Sequence, residues 1–115
     1  MKTVSRGEQV ALLGTIAWRF PAFVPFVDEH LVDMGGEVLP HLLMADCERW
    51  AESLVDNDRA QLARLLALLD EAAGGGADVV NLVDVSFVEN LPYDGEPNAA
   101  IRDLLGPRLR ALLRH

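Results

Sequence analysis

The chain has one cysteine, Cys47, among its 115 residues. A single thiol cannot form an internal disulfide or supply a cysteine-rich metal site. Aromatic residues number only seven, and no apolar run approaches the roughly 20 residues that a membrane-spanning helix needs. No apolar secretory segment follows Met1. These absences predict a soluble, cytoplasmic protein without disulfides.

Basic residues are also few, at 10 Lys and Arg against 18 Asp and Glu. Residues 28–58 contain nine acidic side chains against Arg49 alone, so this third of the chain has the same net charge, −8, as the whole. Concentrated negative charge repels nucleic acid and anionic lipid, and it attracts basic proteins. We therefore expect a basic protein partner, no nucleic acid and no membrane.

The composition predicts an all-α fold. Half of the residues are hydrophobic, and most of these are Leu, Ala and Val, which pack well in helices. A chain of this length can bury one core, so we expect a single helical domain over 1–115. Its expected architecture is a compact bundle or a short α-solenoid of about five to six helices.

Apolar spacing and helix-end residues locate the first helices. Ser5 and Glu8 have the spacing of a capping box. The first helix then has an apolar stripe and ends at Pro21, and a second helix over about 25–33 ends at Gly35 and Gly36. Pro40 begins a third helix, and a cap at residues 56–58 begins a fourth over 59–73. The expected inward residues are Val10, Leu13, Ile16, Ala17 and Phe20 in the first helix, Leu43, Cys47, Trp50 and Leu54 in the third, and Leu62, Leu65, Leu66 and Leu69 in the fourth.

The segment 79–90 is ambiguous because it is rich in β-branched residues. As a strand it would have no partner, and its backbone groups would remain unpaired, so we favour a helix. This helix would bury Val80, Val83, Phe87 and Leu91. Asn98 is then expected to cap a short helix through Leu105, and Gly106-Pro107 to break it before a final basic turn.

One grouping of residues could carry chemistry. His41, Asp46 and Glu89 would suit a divalent metal or acid–base catalysis if they met. The alternative is that His41, near a helix start, makes an ordinary structural hydrogen bond. Cys47 is expected to be buried and inert, and His30 to be a paired surface histidine. We predict no catalytic residue, metal or cofactor, and retain a metal-dependent enzyme as the alternative.

Two sets of residues are candidates for binding. The acidic residues expected to contact a partner are Asp33, Glu37, Asp46, Glu48, Glu52, Asp56 and Asp58. A second, polar cluster is His41, Ser86, Glu89 and Asn90, which either contacts a partner or satisfies nearby loop and helix ends. The basic tail, with Arg102, Arg108, Arg110 and Arg114, is expected to complement its helix dipole and the acidic middle.

Three segments, HLLMAD at 41–46, LLALLDEA at 65–72 and VNLVDVSFVENL at 80–91, carry a resemblance to a known family. They resemble a small bacterial helical domain of unknown function whose members occur near polymorphic-toxin and immunity genes. The resemblance extends from about Phe20 onward and includes a recurring polar set at His41, Asp46, Glu89 and Asn90. It implies an immunity-like bacterial domain, with no catalytic residues to transfer.

Together these observations predict an acidic protein-binding module, such as an immunity protein that neutralises a basic bacterial toxin by occlusion. A self-associating structural helical module is a further alternative, and a homodimer is compatible with any of these functions.

Overall fold

The computed structural model describes residues 6–114, which form helices joined by short loops. In this range there are six α-helices, three short 3-10 helices and no strand. The α-helices are α1 (Gly7–Arg19), α2 (Val24–Asp33), α3 (Pro40–Asn57), α4 (Arg59–Ala72), α5 (Ala77–Ser86) and α6 (Pro107–Leu112). The 3-10 helices are Pro21–Phe23, Val88–Asn90 and Ala99–Leu104. The all-α prediction is confirmed, while the predicted cap at Ser5 lies outside the described residues.

Helix α3 is the centre of the bundle. It packs against α1, α2, α4 and α5 and against the 3-10 helix Ala99–Leu104. Its predicted inward residues, Leu43, Cys47, Trp50 and Leu54, are all buried. The Trp50 ring lies 5.5 Å from the Phe23 ring and 6.1 Å from the Phe20 ring, between ring centroids, in the geometry that aromatic pairs favour. These contacts hold the α1–α2 connection against α3.

The helix ends follow local chemistry. Gly35 and Gly36, which follow α2, have φ of +64° and +88°, a backbone conformation that only glycine adopts without strain. Asp58 caps α4, because its Oδ1 accepts a hydrogen bond from the Gln61 amide at 3.0 Å. Pro40 and Pro107 occupy the first positions of α3 and α6. The predicted boundaries of these helices are therefore confirmed.

The buried face of α1 is wider than its apolar stripe predicts. Val10 is 39% exposed, so its predicted burial is wrong, whereas Leu12 and Gln9 are buried. The physical reason is that α1 packs against both α3 and α5. Gln9 tolerates burial because its side-chain amide donates to the Asp78 carbonyl at 2.8 Å.

The segment 79–90, whose pattern was ambiguous between strand and helix, is helical, as predicted. Helix α5 ends at Ser86, and after Phe87 the 3-10 helix Val88–Asn90 continues the turn. Phe87 and Leu91 are buried as predicted. Val83 is also buried, as predicted. Val80 is only half-buried, and the fully buried Leu82 occupies the place in the core that was predicted for Val80.

The C-terminal segment differs from the prediction at its cap. Residues Ala99–Leu104 form a 3-10 helix, and the Asn98 side chain makes no capping hydrogen bond. Asn98 instead takes a left-handed backbone conformation, with φ of +67°, which ends the preceding turn.

Helix α6 is capped by a residue from another helix. Asp70 of α4 accepts hydrogen bonds at its Oδ1 from the amides of Arg108 at 2.9 Å and Leu109 at 3.0 Å. Gly106 allows this approach, because a Cβ atom there would lie 2.5 Å from the Asp70 Cγ. The carboxylate therefore joins the C-terminal helix to the core.

No single helix among residues 6–114 has the length and apolarity needed to cross a membrane. Helix α1 and the segment Pro21–Asp33 have the required length and apolarity only when taken together, and the angle between them is 114°.

Removing the Asp70 carboxylate should destabilise the protein. We expect Asp70→Ala to lower the free energy of unfolding by about 1 kcal/mol, the usual value of a lost helix cap. Urea denaturation measures this loss. The control is Glu71→Ala, which removes the neighbouring exposed carboxylate and should change stability by less than about 0.5 kcal/mol. Equal losses in the two variants would contradict the capping role.

Candidate functional site

The predicted acidic residues of α3 lie on two flanks of the helix. Residues two apart in an α-helix point about 200° from each other, so Asp46 and Glu48 face different neighbours. Asp46 lines a cleft beside α2, whereas Glu52, one turn after Glu48, lines a depression beside residues 89–97. The carboxylates of residues 28–58 therefore do not form one continuous patch.

The first site is a cleft of about 380 Å³ between α2 and α3, hereafter the α2–α3 cleft. Its charged lining residues are Glu29, Asp33, Asp46 and Arg49, and Phe26, Met34 and Leu42 supply apolar surface. Asp46 forms an ion pair with Arg49. Within residues 6–114, Glu29 and Asp33 have no ion-pair partner, so their charges face solvent uncompensated.

The remaining predicted acidic residues have different surroundings. Glu37 is exposed and lies 3.8 Å from Arg6, between Oε1 and Nη1, a contact that contributes little. Asp56 is exposed, and Asp58 caps α4. None of these three lines the α2–α3 cleft.

Glu48 is not on the surface, and the expectation that it presents its carboxylate to a partner is wrong. Its side chain is 2% exposed, and its Oε1 has no hydrogen-bond partner. The reason is its angular position on α3, beside the buried Met44, Ala51 and Val55. Burial, followed by the hydrogen bond and negative charge of Glu52, raises the pKa of Glu48 to about 9, while Arg49 opposes the change. Near neutral pH the Glu48 carboxyl therefore keeps its proton.

The polar cluster lies along the line where α3 meets α5. His41 Nδ1 and Ser86 Oγ are 2.5 Å apart, and the Asn90 side-chain amide donates to the Ser86 carbonyl at 2.9 Å. Glu89 instead accepts a hydrogen bond from Arg114 at 3.0 Å. Three of the four predicted residues thus meet, and they join the start of α3 to the end of α5.

The trio His41, Asp46 and Glu89 does not converge. His41 contacts Ser86, Asp46 pairs with Arg49, and Glu89 bonds to Arg114. In residues 6–114 no group of three His, Cys, Asp or Glu side chains is placed to hold a metal ion. The geometric basis for the metal-dependent enzyme is therefore wrong.

Cys47 and His30 are both buried. Burial, with smaller contributions from the charges of Glu48 and Asp46, raises the pKa of Cys47 far above its usual range, so the thiol stays protonated. This agrees with an inert cysteine. The prediction that His30 is a surface residue is wrong, because it is 4% exposed. Its Nε2 accepts a hydrogen bond from the Leu39 amide at 3.0 Å, which closes the loop between α2 and α3.

Within residues 6–114, the C-terminal arginines form ion pairs outside the acidic middle, so the expectation that they complement the acidic middle is wrong. Arg114 bonds both oxygens of Asp84 at 2.8 Å and also bonds Glu89. Arg102 pairs with Asp94 at 3.5 Å, and Arg110 donates to the carbonyl of Leu105 at 3.1 Å. The carboxylates of residues 28–58 are therefore left unneutralised by the tail.

Comparison with known proteins gives one family. A family model described as Domain of unknown function (DUF7674) matches residues 14–115. The chain belongs to this family. No curated protein and no solved structure matches the chain.

Several residues that line the α2–α3 cleft were missed from the sequence. Phe26 and Glu29 were not predicted, although they lie with the predicted Asp33 at i, i+3 and i+7 of α2, a spacing that places all three on one side of the helix. The sequence contains this helical spacing. Whether Met34 and Leu42 also line the cleft depends on how α2 packs against α3.

The buried Glu48 should make stability depend on pH. Because its pKa is raised in the folded state, the folded chain holds a proton between about pH 4.5 and 9 that the unfolded chain releases, so this group costs more stability as pH rises. Glu48→Gln removes that cost. We expect it to raise the free energy of unfolding by about 1 to 3 kcal/mol near pH 8, and by less near pH 5.

Urea denaturation at several pH values measures the difference between this variant and the original protein. The exposed residue Glu37 provides a matched control, since Glu37→Gln should leave stability within about 0.5 kcal/mol at each pH. A difference between Glu48→Gln and the original protein that does not grow with pH would contradict the buried proton.

Proposed function

We propose that this chain is a binding module for a basic protein and that the α2–α3 cleft is its contact surface. The observation that supports this is the pair of uncompensated carboxylates, Glu29 and Asp33, beside the apolar side chains of Phe26 and Leu42. Interfaces gain affinity from apolar contacts that exclude water, and charges around them provide specificity and fast encounter.

The cleft suits a long basic side chain. Its volume of about 380 Å³ accepts the aliphatic stem of a lysine or arginine against Phe26 and Met34. The charged end of that side chain then lies near Asp33, and Asp46 is held in place at the opposite wall by Arg49. Part of the negative field of residues 28–58 remains available to draw the partner inward.

The partner we propose is a basic toxin domain of bacterial origin, which this chain neutralises in the cytoplasm by occlusion. The resemblance to a family found near toxin and immunity genes supports that choice. Occlusion requires only a complementary surface, so the function needs no catalytic group on this chain. An acidic binding surface can cover the basic substrate-binding region of a nuclease in this way.

Charge reversal in the cleft tests this function. We expect Asp33→Lys to slow association with the basic protein captured from the native host by about tenfold or more, and to weaken its salt dependence. The matched control is Asp56→Lys, which changes the net charge equally at an exposed residue outside the cleft. Stopped-flow or biosensor kinetics at several salt concentrations measure both. Equal slowing by the two variants, or no slowing, would exclude the cleft as the contact.

The second candidate is self-association through exposed apolar side chains. Trp18 is 87% exposed and Val32 is 81% exposed, and tryptophan is strongly enriched among the residues that dominate interface energies. This candidate predicts that light scattering gives twice the chain mass of 12.6 kDa, and that Trp18→Ala restores the single-chain mass. A single-chain mass for the original protein at high concentration would exclude it.

A further inference from the structure

The first two helices leave an apolar groove on the surface of the protein. It has a volume of about 100 Å³ and lies between α1, α2 and the chain around the start of α3, and it is hereafter the α1–α2 groove. All of its lining residues are apolar, and they include Val10, Gly14, Ala17, Val27, Val38 and Leu43. None of them lines the α2–α3 cleft or the depression beside Glu52. The groove is therefore a separate surface with a different chemistry.

The side chain of Trp18 projects from α1 next to this groove. It is 87% exposed, although tryptophan is among the residues that gain most from being covered. Val10, Gly14 and Trp18 are spaced four residues apart, so they form one row along the helix, and the first two of them line the groove. A large apolar side chain and an apolar recess thus lie side by side on the same face.

Gly14 is unusual because it lies in the interior of α1. A glycine there makes a helix less stable than an alanine would. A Cβ atom at this position would meet no atom within 4 Å, so packing inside the chain does not require the missing side chain. Gly14 is exposed, and it lies between Trp18 and the rest of the groove. The free space is therefore on the outside, where it allows another chain to approach the helix closely.

The charge around the groove favours a second copy of this chain as the occupant. The groove has no charged lining residue. Residues 6–27 contain only Arg6, Glu8 and Arg19 as charged residues, with a net charge of +1, whereas the whole chain has a net charge of −8. Two strongly acidic chains repel each other least where neither presents carboxylates. A basic protein would instead be attracted to the carboxylates of residues 28–58.

We infer that the α1–α2 groove receives Trp18 of a second copy of this chain. A two-fold axis midway between Trp18 and the groove places each Trp18 in the groove of the other copy, so that the same contact forms twice. Gly14 then lies next to the axis and faces Gly14 of the second copy. This inference rests on the self-association proposed above and adds the surface that receives Trp18. It does not depend on the α2–α3 cleft.

The size of the contact predicts a weak dimer. Two indole side chains and the surfaces that cover them amount to roughly 600 to 1,000 Å² of buried area, which is below the size of a standard stable interface. We therefore expect a dissociation constant on the order of 10 μM. Analytical ultracentrifugation of the full chain should show the mass rise from 12.6 kDa to twice that value with concentration.

Gly14→Leu tests the groove, because the new side chain blocks the entrance. We expect this variant to weaken self-association by about tenfold or more. It should also resist urea better than the original protein, because leucine favours a helix more than glycine does and a Cβ atom there meets no neighbour. Weaker association together with greater stability does not arise from misfolding. The matched control is Ala63→Leu, which adds a leucine at an exposed position of α4 outside the groove and should leave association unchanged.

The outcomes distinguish the groove from self-association in general. If Trp18→Ala abolishes the dimer and Gly14→Leu leaves it intact, Trp18 contacts another surface, and the assignment of the groove is overturned while self-association stands. A single-chain mass for the original protein at high concentration overturns both.

A cysteine at the inferred axis tests the symmetry directly. Gly14→Cys should form a disulfide-linked dimer under mild oxidation, because residues next to a two-fold axis approach their own copies within the reach of a disulfide. The native Cys47 is buried and does not compete. The control is Ala63→Cys, which exposes a thiol on α4. Cross-linking that is no faster for Gly14→Cys than for Ala63→Cys, measured on non-reducing gels at equal concentration, would contradict the two-fold arrangement.

Discussion

The fold depends on the burial of α3, which neighbouring helices contact on several sides. Leu43, Cys47, Trp50 and Leu54 face inward, and four other α-helices pack around them. Because α3 is central, its solvent-facing flanks are narrow and each is bordered by a different neighbour, α2 on one side and the region after α5 on the other. The aromatic contacts of Trp50 with Phe20 and Phe23 hold the N-terminal helices in place. The α2–α3 cleft and the depression beside Glu52 are therefore products of the same packing.

The central position of α3 also explains its one costly residue. Glu48 lies at the edge of the buried face, where packing against neighbouring helices removes it from water and the charge of Arg49 only partly compensates. A carboxyl in that position stays protonated or needs a positively charged group nearby. Glu52, which raises the pKa of Glu48 further, lines the depression beside residues 89–97.

The packing of the helices also determines which surfaces carry the negative charge. Residues 28–58 have the same net charge, −8, as the whole chain, but helical geometry directs neighbouring carboxylates to different surfaces. Asp33 and Asp46 meet across the α2–α3 cleft, while Glu52 joins Glu89 and Glu96 on the other flank. Within residues 6–114, the ion pairs of the C-terminal arginines are with Asp84, Glu89 and Asp94, all outside this region. The negative charge is therefore divided between two surfaces, where the charge pattern alone indicated one.

Features that depend on local interactions could be predicted well. Helix boundaries at Pro40, Asp58 and Gly35 follow from a missing amide donor, a side-chain cap and a left-handed backbone, all of which involve only a few neighbouring residues. Apolar spacing likewise predicted the core of α3 and α4. Prediction failed where two or more partners determine the outcome. Val10 and Val80 fall on apolar stripes, yet the actual packing leaves them exposed or half-buried.

The amino-acid sequence by itself determined that this chain is helical, where most of its helices begin and end, and that its middle is strongly acidic, because propensity, capping and composition act over short distances. Only the tertiary structure decided that Glu48 is buried, that Asp70 caps α6, and that Glu52 meets Glu89 and Glu96. Each of these depends on the angle and position at which one helix packs on another, and the spacing of residues within a single helix does not contain that information.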